Sequence, residues 1–230
     1  MHPSALPNHA LRLIKWPLAL ACALAMPVLP GALMHSALAE TQLTEYTWLG
    51  AGAGLYLVGW LLLFRRPIAG SYFSTFEHEL THAIFAWATL HRVTGLRVTW
   101  RDGGVCTYVG SGGGNWLISI GPYWFPTLML VPLAILPWLE PSHTPWLHGL
   151  IGFTAMYHLT STWRETHREQ TDLQETGFIF AALFLPVANI VTYAMIVLLS
   201  LRSGGESWAL ITDIAQRAVD LVTQLAQFAS

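Results

Sequence analysis

The scarcity of charged side chains is the feature that most limits how this chain can fold. Asp, Glu, Lys and Arg make up 10% of its 230 residues, whereas apolar residues make up 53%. A soluble domain carries about 25% charged residues, and a globule of this size could not cover its surface with so few. Its eleven tryptophans are typical of the two interfaces of a lipid bilayer. The composition therefore predicts an integral membrane protein.

The charge balance and the cysteine count exclude several other classes of protein. The formal net charge is −2, and Lys15 is the one lysine among eleven basic residues. This leaves no cationic surface for a nucleic acid and no polybasic tract for anionic lipid headgroups. The two cysteines, Cys22 and Cys106, are too few for a disulfide framework or a thiolate zinc site. No nucleic-acid partner is expected.

Apolar stretches predict an all-α polytopic membrane fold with about five to six membrane segments. The first lies within residues 1–40, where basic residues precede an apolar run and small residues precede Glu40. A signal peptide and a retained N-terminal anchor both fit this pattern. The other stretches are Tyr46–Phe64, Tyr72–Leu90, Trp116–Leu139, Trp146–Trp163 and Phe178–Leu201. The four prolines of Trp116–Leu139 predict a kinked segment.

The C-terminal residues 205–230 have a different pattern. Their apolar side chains recur at spacings of three and four, which predicts an amphipathic helix. Because Arg217 is its one basic residue, this helix would bind an anionic membrane surface weakly. We expect it to pack on the rest of the protein or to form a homo-oligomer with a second copy. Residues 41–204 would then form the membrane-embedded domain.

A short β-hairpin is predicted within Leu96–Val109. Valine and aromatic residues flank Asp102-Gly103-Gly104 there, a sequence typical of a tight turn. The glycine run 112–114 that follows permits a hinge or a close backbone approach. Non-helical backbone at membrane depth is tolerated only where it is buried in protein or lines a cavity. The hairpin is therefore expected to border a site.

The candidate chemistry lies in His78-Glu79-Leu80-Thr81-His82, a His-Glu-x-x-His motif within a helical stretch. The imidazoles of His78 and His82 project from one helix face and can share a zinc ion. Glu79 between them can act as the general base on zinc-bound water. Ionisable groups in an apolar segment are costly and are functional by default. The motif predicts a zinc hydrolase site.

A catalytic zinc ion needs a third protein ligand, and the polar stretch after residue 163 offers the candidates. Asp172 is the first choice, because it lies where this stretch re-enters the apolar part of the chain. His158 and Glu175 are the alternatives that follow it. Three further residues of the region could serve, namely Glu165, Glu169 and His167.

The distribution of arginines constrains the topology. If every apolar stretch crossed the bilayer, His78 and Asp172 would lie most of a roughly 30 Å hydrocarbon core apart. If the chain instead returns through the hairpin to the side from which it entered, the two residues can meet. Seven arginines then face the cytoplasm, and the outer loop Glu140–Pro145 has no basic residue, as the positive-inside rule requires. These arginines are Arg65, Arg66, Arg92, Arg97, Arg101, Arg164 and Arg168.

The segment Phe76–Ala83 resembles the metal-binding helix of the site-2 protease family of intramembrane zinc metalloproteases. The similarity continues through Gly103-Gly104 and Ile120-Gly121-Pro122 and covers residues 70–200, in the manner of compact members without an inserted peptide-binding domain. The resemblance implies a zinc metalloendopeptidase of a bacterial cell (inner) membrane that cleaves a membrane protein or peptide. The metal ligands that it implies are His78, His82 and Asp172, and the catalytic base is Glu79.

Departures from the family pattern leave alternative functions open. The family usually has an asparagine soon after Gly-Pro, where this chain has Tyr123, Trp124 and Phe125. The missing asparagine favours a non-catalytic membrane chaperone or assembly factor that retains the zinc fold. A metal or small-molecule transporter is the other alternative. Glu79 argues against both, since neither needs a base between the ligands.

Overall fold

The computed structural model describes residues 3–38, 43–64, 70–99, 103–110, 114–201 and 204–228. Helices dominate these ranges, and one small antiparallel sheet interrupts them. The helices are α1 (Ala5–Ala25), α2 (Leu29–Leu38), α3 (Leu43–Gly59), α4 (Gly70–Ala88), α5 (Trp116–Ile120), α6 (Leu130–Ile135), α7 (Thr144–Glu165), α8 (Thr171–Thr176), α9 (Phe178–Leu201) and α10 (Gly204–Phe228). The strands are β1 (Arg92–Val98) and β2 (Gly104–Val109).

The lengths of the helices bear on the predicted membrane segments. Helix α9 has the bounds of the predicted last segment, and of the described helices it alone is long and apolar enough to cross a bilayer by itself. Two bent pairs reach that length together: α1 with the start of α2, at 68°, and Trp116–Tyr123 with Thr127–Trp138, at 69°. The described residues thus supply one clear span, or up to three spans if each bent pair crosses as one. The larger number of crossings stays a prediction.

The structure contains both the kinked segment and the β-hairpin that the sequence predicts. Trp116–Leu139 divides into α5, α6 and three single-turn 3₁₀ helices, because proline removes a backbone donor and clashes with the preceding turn. In the hairpin, Val98 pairs with Gly104 and Arg92 with Val109, so the first strand begins four residues before the predicted Leu96. Asp102 and residues 112–113 of the glycine run lie outside the described residues.

The main apolar core lies between the N-terminal helices, the site region and the C-terminal helices. Small residues of α1 and α2 pack there against aromatic residues of α5 and α9. Helix α10 contributes the buried Leu210 and Ile214, while Phe228 near its end is 90% exposed. The first half of the amphipathic helix therefore packs on its own chain. A role in pairing with a second copy stays a prediction.

Helix α3 packs against α7 with their backbones in direct contact. A Cβ added to Gly52 would lie 1.7 Å from the carbonyl oxygen of Gly149, and one added to Gly152 would lie 1.9 Å from that of Leu49. Such close approach is typical of helix pairs in lipid, where small residues take the place of a hydrophobic driving force. Packing on α3 thus helps to place the end of α7 beside the site.

Candidate metal centre

Helix α4 places the two histidines of the motif side by side. Residues four apart lie on one face of an α-helix, one turn above each other. The rings of His78 and His82 accordingly lie 4.8 Å apart between centroids, at an interplanar angle of 76°. Both side chains are largely buried, with 12% and 10% of their surface exposed.

Asp172 of α8 faces both rings. Its Oδ2 lies 3.4 Å from Nε2 of His78 and 3.4 Å from Nε2 of His82. One donor atom from each of the three residues lies within 4.8 Å of the other two. Among the described residues, these three form the one such cluster of His, Cys, Asp or Glu.

Each histidine is held through the ring nitrogen that faces away from Asp172. His78 donates through Nδ1 to Oε2 of Glu165 at 2.8 Å, and His82 donates through Nδ1 to the carbonyl oxygen of Ile118 at 2.8 Å. A neutral imidazole that donates through Nδ1 carries its lone pair on Nε2. Metal-ligating histidines almost always show this arrangement, because the outer hydrogen bond fixes the tautomer and the ring orientation.

Asp172 is held in its charged form. Burial raises the pKa of this carboxyl, but hydrogen bonds and positive charge from the two histidine rings, in the metal-free form in which Nε2 carries a proton, outweigh burial and hold the pKa well below its usual range. The buried Tyr123 also donates its hydroxyl to Oδ2 at 3.3 Å. Its ring stands edge-on to that of His78, with centroids 5.3 Å apart.

The donor set fits a zinc ion. Two imidazole lone pairs and a carboxylate facing one another would repel unless a cation or a proton lay between them. Imidazole nitrogen and carboxylate oxygen are both ordinary zinc ligands, and three protein ligands leave a fourth position open for catalysis. His78, His82 and Asp172 could therefore hold zinc.

Glu79 is positioned by the hairpin. Its carboxylate accepts a backbone hydrogen bond from Cys106 of β2 and lies near both histidines and Asp172. A Cβ added to Gly104 would lie 2.6 Å from Cγ of Glu79, so the strand can approach this closely only with glycine there. The predicted hairpin thus borders the candidate site.

The other candidate ligands have different partners. His158 of α7 is buried and its Nδ1 lies 2.6 Å from the hydroxyl of Tyr193. Glu175 lies 3.5 Å from Ser119 Oγ, and the exposed His167 pairs with Gln170. Among the alternatives, Glu165 alone touches the centre, as a hydrogen-bond acceptor for His78.

The sequence pattern does not identify the two groups that hold the histidine rings, which are the carboxylate of Glu165 and the carbonyl of Ile118. The sequence offers Glu165 as a candidate ligand, whereas in the structure it lies behind His78 and also accepts a hydrogen bond from Ser74. The Ile118 carbonyl carries no signal in the sequence, because every residue has one. The short Ser-to-Glu contact brings the first turns of α4 beside the end of α7, as the returning topology requires. Arg65, Arg66 and Arg101 of that argument lie outside the described residues.

Comparison with known families decides the assignment. The family model described as Peptidase M50B-like matches residues 51–222, which runs from α3 into α10 and includes the whole candidate centre. The chain belongs to the Peptidase M50B-like family. The resemblance to site-2 proteases is thereby confirmed, and the assignment supports a membrane-bound metalloprotease. No curated protein and no solved structure matches the chain significantly.

Proposed function

We propose that this chain is an intramembrane zinc metalloprotease that hydrolyses peptide bonds in or near the bilayer. The observation that carries the proposal is the convergence of three donor atoms within 4.8 Å, two of them on histidines oriented by outer hydrogen bonds. His78, His82 and Asp172 would hold the metal. When bound, zinc supplies Lewis-acid polarisation of the peptide carbonyl and activation of water.

Glu79 is the proposed general base. Its carboxylate, held by the Cys106 amide beside both histidines, takes a proton from the attacking water and then delivers that proton to the leaving amine. Glu165 and the Ile118 carbonyl keep the two rings turned towards Asp172. Tyr123 donates its hydroxyl to the same carboxylate oxygen, Oδ2 of Asp172.

The hairpin is the proposed site for an extended substrate, which would add as a strand to its edge. The Cys106 amide of β2 already donates to Glu79. The segments around Val98–Trp100 and Val105–Tyr108 are both candidates for pairing with the substrate backbone. A membrane protein or peptide that unfolds locally near the bilayer surface is the substrate class that such an edge accepts.

The proposed setting is a bacterial cell membrane crossed several times by the chain. Helix α9 supplies one apolar span. Helix α7, with 22 residues, is about 33 Å long at 1.5 Å per residue, which matches the thickness of the hydrocarbon core. Polar side chains that face the site lower the overall apolarity of α4 and α7, as is usual for helices that line a catalytic cavity.

Replacing Glu79 tests the catalytic role directly. Glu79→Gln keeps the size of the side chain but removes the base, so turnover should fall by about 10²- to 10⁴-fold while zinc content and fold are retained. Cleavage of a membrane-embedded reporter substrate in proteoliposomes gives the rate. The exposed Glu169→Gln is the matched control. Full activity of Glu79→Gln would rule out proteolysis by this site and favour the chaperone alternative.

Zinc content tests the ligand set. Purified protein should carry about one zinc per chain, measured by elemental analysis, and His78→Ala, His82→Ala and Asp172→Asn should each lose most of it. The exposed His167→Ala provides the control for removal of a histidine. Unchanged zinc content in both motif-histidine variants would contradict the metalloenzyme proposal, and unchanged content in Asp172→Asn alone would reassign the third ligand.

A further inference from the structure

The first helix makes polar contacts with segments that build the metal centre. Lys15 of α1 donates from Nζ to the carbonyl oxygen of Thr176 at 2.7 Å. Thr176 ends α8, the short helix that carries Asp172. The last carbonyls of a helix have no partner within it, and a cation there satisfies one of them and complements the helix dipole. Lys15 therefore holds one end of the segment that supplies the carboxylate.

A second contact runs from α1 to the carbonyl group that orients His82. The buried Asn8 accepts a hydrogen bond through Oδ1 from Nδ2 of Asn115 at 2.8 Å. Asn115 caps α5, because its Oδ1 accepts from the backbone amides of Leu117 and Ile118 at 3.1 and 3.3 Å. The carbonyl of Ile118 then accepts from Nδ1 of His82. Three consecutive hydrogen-bonded steps thus join α1 to a candidate metal ligand.

A third contact reaches the end of the histidine-bearing helix. Asn8 donates through Nδ2 to Nε2 of His91 at 3.2 Å, and Nδ1 of His91 lies 3.0 Å from Oγ1 of Thr89. Both residues lie within three residues of the end of α4. A Cβ added to Gly110 would lie 1.9 Å from the His91 ring, so the chain leaving β2 closes over this contact. Asn8, Thr89 and His91 are all buried, and a buried polar group without a hydrogen-bond partner would be costly.

Apolar packing fixes the same helix in place. Ala19, Cys22 and Ala25 of α1 are buried in the core that also contains Trp116 and Phe180. The indole of Trp116 donates to the carbonyl oxygen of Leu11 at 2.7 Å. Small residues on α1 allow the aromatic rings to pack closely against it, so α1 is an integral layer of the core.

We propose that α1 is an internal support of the metal centre, with Asn8 and Lys15 as positioning residues. Asn8 acts on His82 through Asn115 and Ile118, and Lys15 acts on Asp172 through Thr176. The inference rests on the zinc site proposed above. It also favours the retained anchor over the cleaved signal peptide for residues 1–40, because cleavage would remove both positioning residues and uncover the core beneath them.

Zinc affinity and a spectroscopic probe test the proposal on the full chain. We expect Asn8→Ala and Lys15→Met each to raise the zinc dissociation constant about tenfold. This is the smaller end of the range of affinity losses for groups that orient metal ligands. Competition with a chelator measures the constant. The visible absorption bands of the cobalt-substituted protein should shift, because they report ligand geometry, which a loss of global stability alone would leave unchanged. Lys15→Arg, which keeps the donor, should restore both properties.

Matched controls separate positioning from insertion and folding. His9→Ala removes the exposed neighbour of Asn8, and Arg12→Met removes an equivalent charge from the same helix; both should bind zinc as the wild type does. Wild-type affinity and cobalt spectra in both Asn8→Ala and Lys15→Met would overturn the proposal. A wild-type protein that binds no zinc would instead overturn the proposed function on which it rests.

The uniqueness of Lys15 allows a direct test of retention. It is the one lysine of the chain, so an amine-reactive label followed by peptide mass spectrometry reports whether the mature membrane protein contains it. We expect a labelled peptide that includes Lys15 in active, zinc-loaded protein. Mature active protein that begins after residue 40 and lacks this peptide would overturn the proposal.

Discussion

At the scale of single residues, the candidate centre depends on what lies behind the ligands. Glu165 accepts one hydrogen bond from His78 and a second from Ser74. The two bonds fix the carboxylate, and the carboxylate in turn fixes the ring of His78. A carboxylate at this position raises the basicity of the imidazole as a metal ligand. Glu165 thus influences the metal centre through His78, although it is not itself a proposed ligand.

Replacing Glu165 should weaken the metal centre without removing a ligand. In Glu165→Gln the amide oxygen can still accept from His78 but carries no charge, so zinc affinity should fall by about 10- to 100-fold. Chelator competition on purified protein measures the change, with the exposed Glu169→Gln as control. Equal affinity in the two variants would show that the hydrogen bond to Glu165 does not tune His78.

The sequence was most informative for the helix-borne part of the site and least informative for its supports. The spacing of His78 and His82 sets their common helix face, and α9 occupies the predicted Phe178–Leu201. By contrast, contacts of Glu165 and of the Ile118 carbonyl join residues far apart in the chain. They depend on how α5 and α7 pack on α4, which local periodicity does not encode. The polar partners of α1 escaped prediction for the same reason.

At the scale of elements, the α3–α7 pair shows how the end of α7 is held at the site. Gly52 and Gly152 each lie against the backbone of the other helix, whereas Gly50 and Gly54 have no heavy atom within 4 Å of where a Cβ would be. The four glycines therefore have different roles. Two permit contact, and the other two face open space.

This difference predicts opposite effects of the same substitution. Gly152→Ala would place a methyl group 1.9 Å from the Leu49 carbonyl oxygen and should force the helices apart, at a cost of about 1 to 3 kcal/mol. Gly50→Ala meets nothing and should be neutral or stabilising, by up to about 1 kcal/mol from helix propensity. Thermal unfolding in detergent compares the two. Equal melting temperatures would mean that the α3–α7 contact is looser than described.

At the scale of the whole molecule, the centre requires that the start of α4 and the end of α7 lie at one face of the membrane. The Ser74–Glu165 contact joins them. If α7, with 22 residues and a length of about 33 Å, spans the bilayer as proposed, its first residues lie near the opposite face. In this proposed topology, the basic residues Arg97 and Arg168 share a face, and Ser142 lies on the other.

Labelling of introduced cysteines should reveal this arrangement. In a background with Cys22 and Cys106 replaced by alanine, cysteines at Arg97 and Arg168 should react with a membrane-impermeant reagent only from the cytoplasmic side. A cysteine at Ser142 should react only from outside. Labelling of positions 97 and 168 from opposite sides would contradict the topology that allows His78 and Asp172 to share a metal.

The bond from β2 to Glu79 has a consequence for how the protein can evolve. The donor is the backbone amide of Cys106, and every residue except proline supplies that amide. Natural variation can therefore alter the side chain at this position without removing the donor to the base. Gly104 lacks this freedom, because any side chain there would collide with Glu79. Along one strand, we therefore expect a position that tolerates diversification two residues away from one that does not.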